Sequence, residues 1–357
     1  MLFSNANKAP KVSILVPIYN TSKYLPECLD SLLGQTLKDI EIVCINDGST
    51  DNSPDIIREY QKRDSRVKLV DKANSGYGDS MNKGIEHATG EYIGICESDD
   101  FASPDMFETL WRYAHRHRLD VVKCNYFEHD ASGDREMHVY DGYKYKHVFD
   151  PAKEQSVLAE IPIIWSALYR RQFIIDNGIA FNTTPGASYQ DTSFVQQCWM
   201  AARRAALLPY FGLHYRVDNT ASSCKSSTKI YEVCGEYELS EKFMARDPER
   251  QKAFAPMLNY LKFGTYRWNF NRIADEHRRA FAQRWADEYK RAEQAGTLDK
   301  NYFPPENWER MELLMSDLDA FMEKYGPELE TRVKRFFRTK GVLLLTARPF
   351  SCPSGPN

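Results

Sequence analysis

The sequence predicts an α/β protein: a largely parallel sheet with helices on both faces, followed by an all-helical C-terminal region. Three observations predict it. Apolar, β-branched runs alternate with helix-period stretches through residues 11–127, the pattern of βαβ crossovers. From about residue 225 the pattern becomes wholly helical. The 357 residues are 42% hydrophobic and 27% charged, enough apolar material for one large domain with a smaller one, or two of ordinary size.

"KVSILVPIY" (11–19) reads as a buried strand, and "SKYLPECLDSLLGQT" follows with Leu25, Cys28, Leu29, Leu32 and Leu33 at helical spacing. "IEIVCIND" (40–47) is the second strand, and "STDNSPDIIREYQKRD" a capped helix with Pro54 in its first turn. "RVKLVD" is the third strand, "SMNKGIEHAT" a helix and "EYIGICE" the fourth strand. Helix "SPDMFETLWRYAHRH" and strand "DVVKCNYF" (120–127) complete the regular alternation. Residues 128–165 read as meandering loops or antiparallel ribbons. "QDTSFVQQCWMAARR" reads as a helix and "LHYRVDN" as an edge strand leaving the domain. The boundary falls in "TASSCKS" (220–226), giving domains 1–222 and 223–357. The second carries long amphipathic helices within 227–326.

The net charge of −3 gives no footing for nucleic-acid binding. Eight cysteines without a CxxC pair point to buried thiols in a reducing compartment, away from a disulfide framework or a zinc site. No apolar run is long enough to span a bilayer, and "MLFSNANKAP" lacks a basic region followed by an apolar core. The expectation is a cytoplasmic protein.

In open parallel sheets, ligands bind at the carboxyl ends of strands. Three strands here end in polar residues on one edge: Pro17-Ile18-Tyr19-Asn20, Asn46-Asp47-Gly48-Ser49 and Glu97-Ser98-Asp99-Asp100. "VPIYNTS" has no glycine, which disfavours a dinucleotide-binding turn. Acidic residues crowded at a strand exit repel one another unless solvent, a cation or a ligand compensates. A hard divalent cation with phosphate oxygens would do so. An acidic turn capping the next helix is the alternative.

"VSILVPIYNTSKYLPECLDSLLGQT", "IVCINDGSTDNS", "NSGYGDSMNKGIEHATGEYI" and "ESDD" together resemble the successive signatures of the family 2 glycosyltransferases, which have the GT-A fold. The resemblance is strong over residues 11–128 and weaker to about 223. It implies a nucleotide-sugar donor, a divalent metal (Mn2+ or Mg2+), and a glycan or lipid-linked saccharide acceptor. Pro17, Tyr19 and Asn20 would line the base pocket, and Asp47 would accept hydrogen bonds from the base or ribose. Gly48 and Ser49 would allow close backbone approach, while Asn74, Gly76 and Asn82 would border the donor. The acidic motif usually reads Asp-x-Asp-Asp, and here Glu97 replaces its first member. Asp99 then takes the main metal role, with Glu97, Ser98 and Asp100 around ribose, water or the metal. Met81 stands where many relatives place arginine, leaving Lys72 and Lys83 as replacements for a phosphate contact.

Sugar transfer also needs a carboxylate that draws the acceptor proton from the face opposite the leaving group. Asp191, in "GASYQDTSFVQQCWM", resembles the second residue of the family's Glu-Asp motif, with Gln190 in first place. A base there and a helix-capping residue are both consistent with the sequence. His214 resembles a histidine that some GT-A enzymes use as a metal ligand, and Arg216 would bind diphosphate. Trp165 suits either acceptor stacking or a core.

Residues 331–345 combine five basic residues with Phe336, Phe337, Val342 and three leucines. Such a stretch suits an anionic membrane surface, a docked final helix or a homo-oligomer contact. The leading expectation is an inverting, metal-dependent transferase using a uridine-linked sugar, at the inner face of the plasma membrane if the tail binds lipid. A sugar-nucleotidyltransferase is a weaker alternative, for want of a glycine- and basic-rich first loop. A silent glycan-binding scaffold is kept open by Glu97, Met81 and Gln190.

Overall fold

Strand β1 (Val12–Ile18) and strand β2 (Ile40–Asp47) are buried at every position, so both faces of the sheet centre are covered. That is why their sequences are continuous apolar runs rather than alternating ones. The computed structural model describes residues 9–219 and 229–326, which form two compact units parting between those ranges. The boundary segment 220–226 and the basic stretch 331–345 lie outside the described residues.

The first unit adds β3 (Val67–Lys72), β4 (Tyr92–Ile95), β5 (Phe101–Ala102), β6 (Val121–Asp130), β7 (Gly133–Met137), β8 (Ala167–Arg170) and β9 (Ala205–Arg216). The sheet order is β3-β2-β1-β4-β8-β6-β9-β5, with β7 paired to β6. Pairing is parallel through β3-β2-β1-β4 and between β6 and β9, and antiparallel elsewhere. The sheet is therefore mixed, and less parallel than the sequence predicts. The four-residue β8 is too short to show a period, yet it reverses direction in the middle of the sheet.

Helices α1 (Leu25–Leu33), α2 (Ser53–Arg63), α3 (Tyr77–His87), α4 (Met106–His117), α5 (Arg171–Asn177) and α6 (Gln190–Ala201) connect the strands. Pro26 and Pro54 sit in the first turns of α1 and α2, where a missing N–H costs nothing. α2 has no side-chain hydrogen bond from its N-cap Asn52, contrary to the capped helix expected.

β9 also differs from expectation. It begins at Ala205 and pairs on both sides, with β6 and β5, so it is not an edge. Its apolar start is interrupted by Pro209, which would normally argue against an interior strand. The register with β6 jumps from Cys124–Leu208 to Asn125–Phe211, leaving Pro209 and Tyr210 as extra residues. A bulge accommodates the proline that cannot donate.

The second unit contains α7 (Glu232–Met244), α8 (Pro248–Arg272), α9 (Asp275–Gln294), α10 (Pro305–Ser316) and α11 (Leu318–Tyr325). Asp247 caps α8 through Glu249 and Arg250 N–H groups, and Asp317 caps α11 through Ala320 N–H. Phe263, Tyr266, Phe270, Phe281, Trp285 and Phe321 form its aromatic core. Lys262 is buried there between Glu241 and Glu288, so its charge is paired.

Two glycine positions test this packing. A Cβ on Gly94 would lie 2.5 Å from the Phe107 ring and 3.2 Å from Leu168. Gly94→Ala should therefore cost about 1–3 kcal/mol in chemical denaturation. Gly264, inside α8, has open space at that position. Gly264→Ala should raise the stability of the helical unit by up to about 1 kcal/mol.

Candidate active site

β1, β2 and β4 run side by side and parallel, so their carboxyl ends open on one edge. Pro17 is buried inside β1, whereas Tyr19 is 51% exposed just beyond it. Asn20 adopts a positive φ of 54° and joins the first two strand ends. Its N–H donates to Ser49 Oγ (3.1 Å), and its Oδ1 accepts from Thr50 N–H (2.7 Å). Thr21 Oγ1 donates to Ser98 Oγ (3.0 Å), tying the first loop to the acidic segment.

Asp47, at the end of β2, is 5% exposed. One carboxylate oxygen accepts from Ser75 N–H (2.9 Å), the other from Gly76 N–H (3.0 Å), and Lys72 pairs with the first. Gly48 turns the chain at φ 67°, and a Cβ there would lie 2.7 Å from Asn74 N. The loop before α3 is thus drawn onto the end of β2. α3 in turn seats the 181–186 segment. A Cβ on Gly78 would lie 1.8 Å from Asn182 O, so only glycine allows that approach. Asn82 exchanges two hydrogen bonds with the backbone of Phe181, at 3.0 and 2.9 Å.

The acidic segment is divided by burial. Asp100 is 2% exposed; its Oδ1 accepts from Arg216 N–H (2.8 Å), while its buried Oδ2 has no hydrogen-bond partner among the described residues. Burial, with the neighbouring Asp99 charge, pushes its carboxyl well up. Glu97 accepts a 2.7 Å hydrogen bond from Tyr77 OH. Burial pushes Glu97 up to about 8, aided by the charges of Asp99 and Asp191 and opposed by the Tyr77 bond. Asp99 is half-buried, and its Oδ2 accepts from Asn219 Nδ2 (2.8 Å).

Glu97 therefore lies within electrostatic range of both Asp99 and Asp191. Asp191 opens α6, after Tyr189 at φ 62°. Burial pushes it up to about 6, while the N–H of Thr192 (2.8 Å) and the Lys123 charge act the other way. Gln190 is buried and organises the preceding loop. Its amide nitrogen donates to Thr184 Oγ1 (2.8 Å) and Gly186 O (3.3 Å), and its oxygen accepts from Ser188 N–H.

Residues 13–194 match the sequence model of Glycosyl transferase family 2. The chain belongs to that family. EpsJ, an uncharacterized glycosyltransferase of Bacillus subtilis, is 35% identical over 205 residues, 56% of this chain and 59% of that protein. The hyaluronan synthase of Pasteurella multocida is 41% identical over 105 residues, 29% of this chain and 11% of that protein. This chain thus spans less than two thirds of either relative. The crystal structure of S. aureus TarS 1–349 in complex with UDP-GlcNAc has a TM-score of 0.56 at 19% identity. The match covers 85% of this chain and 90% of the TarS 1–349 chain, and the shared fold is GT-A.

Several expected residues of this family 2 chain lie elsewhere than the sequence implied. His214 does not join Asp99: its ring nitrogens face Ser103 and Asp134, because its strand position stacks it between Phe101 and Phe127. Arg216 holds Asp99 O (3.0 Å) and Glu27 (2.5 Å), so its guanidinium braces the acidic segment. Asn82 serves the protein backbone, as above, and not an open edge. Met81 is fully buried on α3, and Lys72 and Lys83 are engaged by acidic side chains, Asp47 and Asp79 for the first and Glu86 for the second. Trp165 is 8% exposed and stacked on Tyr215, which makes it core.

Other site residues were not legible. Tyr77 is unremarkable in "NSGYGDS", and its partner Glu97 is twenty residues on. Lys123 sits in an apolar strand, yet its buried ammonium donates to Ile163 O (2.5 Å) and is pushed down to about 7 by burial. A lysine interrupting a buried run is the signal that could have found it.

Gln190→Glu keeps the shape but loses both amide donors and buries a charge. It should lower stability by about 1–3 kcal/mol in thermal or chemical unfolding.

Proposed function

We propose that this chain is an inverting, metal-dependent glycosyltransferase, transferring a hexosyl or N-acetylhexosaminyl group. The donor is a nucleotide sugar and the acceptor a hydroxyl of a glycan or lipid-linked saccharide. The observation that carries this is Glu97, hydrogen-bonded to Tyr77 beyond β4 and raised in pKa by burial and by the charges of both Asp99 and Asp191, which come from distant segments. The fold in TarS is crystallised with UDP-GlcNAc, which makes a uridine-linked donor the first to test. A hyaluronan synthase among the relatives supports a glycan product.

The residues suit Mn2+ or Mg2+. Among the described residues, Asp99 has one carboxylate oxygen without a protein donor, and Asp100 Oδ2 is a buried acceptor left over. When bound, such a cation offsets the charge of the departing nucleoside diphosphate. Tyr19, Ser49 and Asn74 border the base and ribose, and Gly48 keeps the backbone close. Asp47 and Arg216 act by positioning, the first through the loop before α3 and the second through Asp99.

Asp191 takes the proton of the acceptor hydroxyl as that oxygen attacks the anomeric carbon. Its raised pKa makes it a stronger base than an ordinary aspartate while leaving it ionised at neutral pH. A single in-line displacement inverts the anomeric configuration. Domain 1–222 then carries donor binding and chemistry, with 223–357 as its helical companion.

Asp99→Asn should reduce metal-dependent release of nucleoside diphosphate at least about 100-fold. Release by wild type and variant alike, or by neither with any donor, would sink the assignment.

Asp191 should also set the acid limb of the pH–rate profile. Transfer should fall about tenfold per pH unit below about 6, where the base becomes protonated. Because folding raises this pKa, the protonated form is the stabilising one. That stability is full below the unfolded value and disappears as pH rises through about 6. Asp191→Asn should therefore abolish transfer yet unfold at a higher temperature at pH 8, by up to about 3 kcal/mol. A variant that retains transfer would remove Asp191 from the mechanism.

A further inference from the structure

Strands β7, β6 and β9 lie side by side, with His129 opposite Asp134 and Phe127 opposite His214. His129 and His214 are diagonal neighbours on one face of the β6–β9 pair. The result is a cluster of two imidazoles and one carboxylate whose ligand atoms all lie within 4.8 Å of one another. Asp99 is not part of it.

Asp134 Oδ1 lies 2.7 Å from His129 Nδ1 and 3.0 Å from His214 Nδ1. The second contact falls outside hydrogen-bond alignment, so among the described residues the buried His214 Nδ1 faces Asp134 with no aligned hydrogen-bond partner. The other ring nitrogen of His214 is 3.1 Å from Ser103 Oγ, and the ring is clamped between Phe101 and Phe127. Metal-binding histidines typically have the far nitrogen held by an oxygen in this way, which fixes the ring and aims the near nitrogen.

We propose that His129, Asp134 and His214 form a second cation site, distinct from the one at Asp99. Two imidazole nitrogens and a carboxylate favour a borderline transition ion, zinc foremost, over magnesium. Tetrahedral zinc holds its ligand atoms about 3.3 Å apart; the two imidazole–Asp134 contacts, 2.7 and 3.0 Å, are near that, and the whole set lies within 4.8 Å. Asp134 is part-exposed on the β6–β7 hairpin and is free to adjust, leaving the fourth position to water. The cysteine spacing gives no hint of this site, because its ligands meet only through strand pairing.

The ion would staple the hairpin to β9 two residues before Arg216. That residue's N–H holds Asp100 and its guanidinium holds Asp99 O. Zinc here is structural, supporting the acidic segment from behind.

The test is a zinc titration of the full-length protein against a chromophoric chelator, with thermal unfolding in parallel. Wild type and Asp99→Asn should each withhold one equivalent of zinc and melt at a higher temperature with it. His129→Asn with Asp134→Asn should lose both effects while keeping the wild-type circular dichroism and the wild-type melting temperature in chelator. Asp134 is exposed on the hairpin and His129 is part-buried against Phe101, so His129→Asn alone, also losing the zinc, guards against misfolding of the pair. The proposal is overturned if wild type yields all its zinc to the chelator, or if the substituted proteins retain theirs.

Discussion

The site depends on one buried carboxylate that never needs to touch a reacting atom. Asp47 gathers two backbone N–H groups and an ammonium at the end of β2. This fixes the start of α3. The glycines at 76 and 78 then let that helix lie directly on the 182–186 backbone, and Asn82 locks the contact from the next turn. Gln190 stiffens the same loop from the other side and leaves Asp191 at the head of α6. The carboxyl end of β2 and the head of α6, more than one hundred residues apart in sequence, are thereby linked through hydrogen bonds and close backbone packing. Carboxylate-to-backbone bonds suit this task, since they are charge-assisted and shielded from water here.

Electrostatics explains how so many acidic groups share one edge. Burial pushes Glu97 up to about 8 and Asp100 well up, and Tyr77 satisfies the Glu97 oxygen. Asp191, pushed up only to about 6, stays ionised at neutral pH, as the proposed chemistry needs. Glutamate in place of the usual first aspartate is then understandable: its extra methylene reaches the Tyr77 hydroxyl on α3. Two departures from the family pattern, Glu97 and Gln190, are each matched by a specific partner.

The motif-bearing strand ends were legible because strands of a parallel sheet must be continuous in sequence and must open on a common edge. β2 runs over the residues its apolar run marks, and α1 and α4 follow their apolar spacing. The mixed part of the sheet was not legible. β8 has four residues and no period, and β9 hides its pairing behind Pro209, which only a bulge accommodates. His214 illustrates the same limit: its resemblance to a metal-binding histidine of some GT-A enzymes suggested a role beside Asp99, whereas it stacks on Phe101 and Phe127 and faces Asp134.

The sequence by itself determined the family, the alternating architecture of the first unit and the positions of the acidic strand end and of Asp191. These are local properties, written in the period of apolar residues and in short contiguous motifs. The tertiary structure alone decided which carboxylates are buried, which cations are already paired, and which side chains from separate strands converge. Those outcomes depend on desolvation and on contacts across many residues, and neither quantity is encoded at any single position.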